Sequence, residues 1–162
     1  MDSSAIAQFL ESTYPEPAVP LTSELGREIE VKSRSIIGRT LSSSIMPREI
    51  DVLSPRSQEY FRRTREASIG RRLEDVLVAS EKEDENWQAI DGELRAVGEL
   101  MQTNKAQGPF VLGAKPTFTD FFIAGSLQSA RMVHEDTFQR LVKYPGFKDI
   151  YKGCRPYMEK ND

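Results

Sequence analysis

The amino-acid sequence predicts an all-α fold, a helical bundle built around one buried central helix. Three observations carry that reading. Trp87, Ile90, Leu94, Val97 and Met101 recur at three- and four-residue spacing, which marks one face of a helix. Phe121, Phe122, Ile123, Ala124, Leu127, Ala130 and Val133 make a second segment apolar nearly all round, as suits a helix enclosed by its neighbours. No alternating strand of convincing length occurs: Val111-Leu112 is too short, and Ile50-Asp51-Val52-Leu53 is ambiguous.

Taken in order, Asp2 to Thr13 reads as an amphipathic helix capped by Asp2 or Ser3, with Ile6, Phe9 and Leu10 at i, i+3 and i+4. Pro15, Pro17 and Pro20 end it, because proline lacks the amide and clashes with the preceding turn. Residues 14–21 are therefore a connector and the clearest boundary in the chain, dividing 1–13 from 22–162. Thr22 or Ser23 then caps a helix carrying Leu25, Ile29, Ile36, Ile37, Leu41 and Ile45. Ile37, Leu41 and Ile45 fall on one face, and Pro47 breaks or bends the helix. Ser54-Pro55 is a start signal for a helix to about Ser68, with Gly70 as its stop and Leu73, Val76 and Leu77 resuming. Ser80 is placed to cap the helix of the Trp87 stripe, whose first turns hold Glu81, Glu83, Asp84 and Glu85 at the positive end of the dipole.

A loop from Gly108 to Pro116 leads into Thr117-Phe118-Thr119-Asp120, a capping-box spacing with Asp in place of the usual Glu. Thr117 and Asp120 are thus structural residues, and losing such a cap costs about 1 kcal/mol. Tyr144-Pro145-Gly146-Phe147 to Glu159 reads as a turn and a final helix.

Composition narrows the function. The chain has 162 residues, 38% hydrophobic and 29% charged, with a net charge of 22 − 25 = −3. That excludes collagen-like, disulfide-scaffold and strongly disordered classes and disfavours a nucleic-acid binder. Cys154 is the single cysteine, so neither an intrachain disulfide nor a two-cysteine redox motif can form. No apolar run approaches the ~20 residues that span a bilayer, and the acidic start Met1-Asp2-Ser3-Ser4 makes a poor signal peptide. The expectation is a cytoplasmic protein with no membrane partner.

Three stretches resemble the glutathione S-transferase family, across nearly the whole chain. Gly108-Pro109-Phe110-Val111-Leu112-Gly113 through Pro116-Thr117-Phe118-Thr119-Asp120-Phe121 resembles the family's loop before its capped central helix. Asp2-Ser3-Ser4-Ala5-Ile6 resembles the motif that closes the family's thioredoxin-like domain. Tyr60-Phe61-Arg62-Arg63-Thr64-Arg65-Glu66, Trp87 and Tyr144-Pro145-Gly146-Phe147 are similar to fungal members related to bacterial β-etherases. The resemblance implies that residues 1–13 are the last helix of a thioredoxin-like domain and 22–162 a C-terminal helical domain. It implies glutathione as co-substrate, no metal, and conjugation of hydrophobic electrophiles of the detoxification type. Because the chain starts at that last motif, the family's catalytic residue is expected to be absent and activity alone small.

The resemblance places Asp2 and Ser3 on the γ-glutamyl end of glutathione, with the Ser3 hydroxyl and the helix N-terminus on its carboxylate, where free amides and the dipole favour an anion; the ordinary alternative is an N-cap. Tyr60, Phe61 and Trp87 are candidates to line a hydrophobic substrate pocket, against the alternative that they are core. Arg62, Arg63, Arg65, Arg71 and Arg72 either receive an anion or form a solvated face, since Glu59–Arg63 and Arg62–Glu66 have i,i+4 spacing. His134, the one histidine, reads as a helix terminator; Cys154 has basic neighbours, Lys152 and Arg155, that can lower a thiol pKa, but the family carries its cysteine nucleophile in the other domain, so no catalytic role is expected of it. Two functions remain open. One is the substrate-binding half of a glutathione transferase, in a homodimer or with a thioredoxin-like domain. The other is a non-enzymatic module of the same fold for a hydrophobic ligand or protein partner.

Overall fold

The computed structural model describes residues 3–21, 23–77 and 80–159. Among them there is no strand, only an isolated bridge between Phe110 and Gly113. Helix α1 spans Ser3–Thr13 and is followed by a non-helical connector. Its inner face is Ser4, Ala7 and Glu11, and the Glu11 carboxylate accepts the Val19 amide at 3.0 Å, folding the connector back along the helix. The apolar stripe points the other way: Ile6, Phe9 and Leu10 are exposed, Phe9 by 65%.

Helix α2 spans Glu24–Thr40. Of the two expected caps, Ser23 accepts the Gly26 amide at 2.8 Å, whereas Thr22 lies outside the described residues. Ile29, Ile36 and Ile37 enter the core. The helix then widens into a π turn at Leu41–Ile45 and tightens into a 3₁₀ stretch at Met46–Val52. Pro47 forces this change, since it offers no amide and its ring occupies the space of the preceding carbonyl. The distortion therefore begins before the proline, and the ambiguous segment from Ile50 to Leu53 is the end of the 3₁₀ stretch rather than a strand.

Helix α3 spans Pro55–Ile69 with proline in its first turn, and Gly70 closes it in the left-handed conformation at φ 71°. The Ser54 hydroxyl donates to Ser57 Oγ at 3.0 Å rather than capping an amide. No residue of α3 is buried; the short α4, Leu73–Val76, follows and buries Leu73 and Val76. The Glu66 carboxylate joins the two by accepting the Leu73 amide at 3.1 Å.

Helix α5 begins at Ser80 itself and runs Ser80–Met101, with the whole Trp87-to-Met101 stripe buried against α2. Helix α6, Phe118–Val133, packs on α2 and on α7 (Glu135–Leu141) and α8 (Phe147–Met158). It is central but not enclosed. Ile123, Ala124, Leu127 and Ala130 are buried, whereas Phe121 and Phe122 are half-exposed and Met132 is open to solvent. The Arg34 guanidinium lies 4.3 Å over the Phe122 ring, and Tyr157 meets Phe121 edge-on, which shields the outer face.

The capping box at the start of α6 is complete. Asp120 accepts the Thr117 amide at 2.8 Å and the Thr117 hydroxyl at 2.7 Å, and its other oxygen takes the Val111 amide at 2.9 Å. The carboxylate thus ties the 108–116 loop to the helix as well as capping it.

Candidate functional site

Two hollows among the described residues bear on ligand binding. The first lies at the N-terminal end of α1 and α6. Ser4, Ala7, Gln8, Leu21, Glu30 and Phe118 line a small hollow of about 50 Å³ there. Ser3 opens α1 beside it, so the positive pole of that helix lies at this hollow. Asp2 and the Ser3 side chain lie outside the described residues.

The second place is a cleft of about 270 Å³ at the opposite end of α6, between the start of α5 and the α6–α7 junction. Two ion pairs cross it. Arg48, from the 3₁₀ stretch, meets Glu83 of α5 at 3.2 Å, and Arg140 of α7 meets Asp84 of α5 at 2.6 Å. Burial raises the Glu83 carboxyl, but the Ser44 hydroxyl and the Arg48 guanidinium outweigh it and hold that carboxyl below its ordinary value. Trp87 forms part of the wall, 3% exposed, with Arg140 stacked 4.8 Å over its ring. His134 ends α6 by donating its amide to Ala130 and precedes α7, where its Nδ1 meets the Thr137 hydroxyl at 2.9 Å. That fits its expected place at the helix end.

The sequence-predicted aromatic trio is not one cluster around this cleft. Trp87 lines it, but Tyr60 and Phe61 of α3 do not. Tyr60 is 64% exposed with Arg63 over its ring at 5.8 Å, and Phe61 is half-buried under Arg65 at 5.3 Å. Of the arginines, Arg62 is held by Glu66 at 2.9 Å and Glu74 at 2.7 Å, and Arg72 by Glu74 at 3.3 Å, the ordinary reading of a solvated face.

Cys154 is an unreactive thiol in the core. Its thiol is fully buried in α8, where burial first and the nearby Asp120 second push it up to about 12. Lys152 and Arg155 do not activate it, because the side chain turns inward, away from solvent and from them. We expect a disulfide reagent to leave Cys154 unmodified in the folded protein and to modify it within minutes in denaturant; equal rates in both states would contradict this burial.

The cleft's charged residues come from three separate stretches, which is why pattern reading found Trp87, His134 and the acidic first turns of α5 but not the cleft that joins them. Among the described residues, no group of three His, Cys, Asp or Glu side chains is placed to hold a metal, and no helix is long and apolar enough to cross a membrane.

Comparison with known proteins decides the family. The family model of the glutathione S-transferase C-terminal domain matches residues 30–146. The chain belongs to that family. This glutathione S-transferase domain is 29% identical over 133 residues to a glutathione S-transferase-like protein, ustS, of Aspergillus flavus, a match covering 76% of the chain and 47% of that protein. The chain thus spans about half the length of that curated relative. Among solved structures it superimposes on a glutathione S-transferase of Ceriporiopsis subvermispora in complex with glutathione, with TM-score 0.80 and 27% identity, covering 99% of this chain and 67% of that one. A glutathione transferase of Phanerochaete chrysosporium matches with TM-score 0.76 and 29% identity, over 99% of this chain and 66% of the other. The all-helical fold, the capped α6 and the transferase resemblance of the sequence are therefore those of the glutathione S-transferase C-terminal domain.

Proposed function

We propose that this domain is the substrate-binding helical half of a glutathione transferase, working in the cytoplasm with a thioredoxin-like domain that holds glutathione and supplies the catalytic residue. The observation that carries the proposal is the outward apolar stripe of α1. Ile6, Phe9 and Leu10 are all exposed, while the polar and small residues of the same helix face the bundle. A helix that turns its hydrophobic side to solvent is built to be covered. The superposition on a glutathione complex extends over 99% of the chain and so takes in most or all of α1.

In this reading Asp2 and Ser3 hold the γ-glutamyl end of glutathione, with the Ser3 hydroxyl and the positive pole of α1 receiving its carboxylate. Tyr60 and Phe61 contribute to an apolar wall for the electrophile, while Trp87, under Arg140 in a charged cleft, serves elsewhere. The reaction forms a bond from the glutathione sulfur to the electrophilic carbon as the leaving group departs. The chain's own part is to hold the apolar partner and exclude water. The same stripe also suits the non-enzymatic alternative, a docking module covered by a separate protein.

The 162-residue chain is expected to give no turnover of glutathione with a standard aromatic halide above a heat-killed control. Turnover above that control would place the catalytic group within these residues and overturn the division of labour.

A further inference from the structure

We infer that the cleft at the α6–α7 junction binds a small zwitterion with an α-amino-acid headgroup. Its carboxylate would be received by the Trp87 indole N–H, His134 and Arg140, and its ammonium by Asp136. The starting point is Trp87. The residue is 97% buried by its 3% exposure and lines the cleft, yet its indole N–H has no hydrogen-bond partner among the described residues. A tryptophan so deeply buried ordinarily finds an acceptor for that proton. The N–H is also not among the sealed, unpartnered atoms, so it retains contact with solvent.

Two further, more accessible groups in the same cleft also lack a partner among the described residues. With the Thr137 hydroxyl engaged at Nδ1, the Nε2 of His134 has no partner among the described residues. The Nε2 atom donates when Thr137 donates to Nδ1, and accepts in the other tautomer. Asp136 lines the cleft and carries neither an ion pair nor a hydrogen bond among the described residues, unlike Glu83 and Asp84.

Charge bookkeeping selects the ligand. Arg48 with Glu83 and Arg140 with Asp84 cancel, leaving Asp136 as the surplus charge beside the His134 ring. A bare carboxylate would satisfy the Trp87 and Arg140 donors but meet that surplus negative charge. A bare amine would pair with Asp136 and leave the donors unmet. A zwitterion answers both. Arg140 can assist without releasing Asp84, because guanidinium has five N–H donors and the Trp87 ring holds its plane in place. The cavity, about 270 Å³, admits such a headgroup. The same headgroup occurs in free amino acids and at the γ-glutamyl end of glutathione, so the test separates the two.

Trp87 is the chain's single tryptophan, so intrinsic fluorescence reads the cleft directly. Titration of the 162-residue protein at neutral pH with L-alanine and with glutathione should give a saturable change with at least one of them. Saturation by alanine assigns free amino acids, and saturation by glutathione alone assigns the peptide. N-acetylalanine and alanine methyl ester, each lacking one charge, should bind at least about tenfold more weakly. Asp136→Asn, on an exposed position with folding checked by its melting curve, should weaken the zwitterion about tenfold and bind N-acetylalanine no more weakly than before, since the charge opposing its carboxylate is gone. No saturable change with either zwitterion, equal binding of N-acetylalanine, or unchanged affinity in the variant would overturn the inference.

Discussion

Replacing Asp120 by alanine is expected to destabilise the domain by about 4 kcal/mol, well beyond the ~1 kcal/mol of an ordinary helix cap. The difference lies in what the side chain reaches. One oxygen takes the Thr117 amide and hydroxyl, which completes the capping box seen in the sequence. The other takes the amide of Val111, nine residues away, and Val111 and Asp120 are both fully buried. Alanine would leave two amides without acceptors where water does not reach, each at about 1–3 kcal/mol. Burial raises the Asp120 carboxyl from its ordinary value, while the Thr117 hydroxyl and the Val111 and Thr117 amides pull it back. The thermal midpoint should fall by about 10 °C at this chain length. A fall of only ~3 °C would mean that the Val111 bond contributes nothing.

The second large effect is a contrast within α5. Gly92 and Gly98 are both helical glycines, and alanine is worth up to about 1 kcal/mol over glycine in a helix interior. At Gly92 an added Cβ meets nothing within 4 Å, so Gly92→Ala should stabilise by nearly that amount. At Gly98 the Cβ would sit 2.4 Å from the Pro145 carbonyl oxygen. That neighbour is backbone, held where Gly146 turns at φ 76° into α8, and it has little room to move. Opening this contact should outweigh the propensity gain and leave Gly98→Ala destabilised by about 2 kcal/mol. Denaturant unfolding of both variants checks the sign. Stabilisation by both substitutions would show that the 144–147 turn is not pinned to α5.

These two cases show what a linear reading can reach. Thr117 and Asp120 are three residues apart, so their reciprocal bonds were legible in the spacing; the Val111 bond depends on how the 108–116 loop folds back and was not. The Trp87-to-Met101 stripe was legible because one helix face gathers at fixed intervals, as was Gly70 because only a left-handed turn ends α3 there. Period and punctuation say less about partners. They gave Ile6, Phe9 and Leu10 as one face of a helix, and the structure shows that the bundle takes the opposite face. Pro47 marked a break, but its effect reaches back through the π turn because a proline disturbs the turn before it. The cleft was the least legible feature: Arg48, Glu83, His134 and Arg140 share no interval in the chain and are gathered only by the packing of α5 against the α6–α7 junction.

If the α1 stripe is a seat for a thioredoxin-like domain of the same protein, the intact mass of the endogenous protein, captured from cell extract, should exceed 18.4 kDa by about one such domain, in keeping with solved relatives of which this chain spans about two thirds. A mass of 18.4 kDa would contradict it and assign the exposed face of α1 to a separate partner.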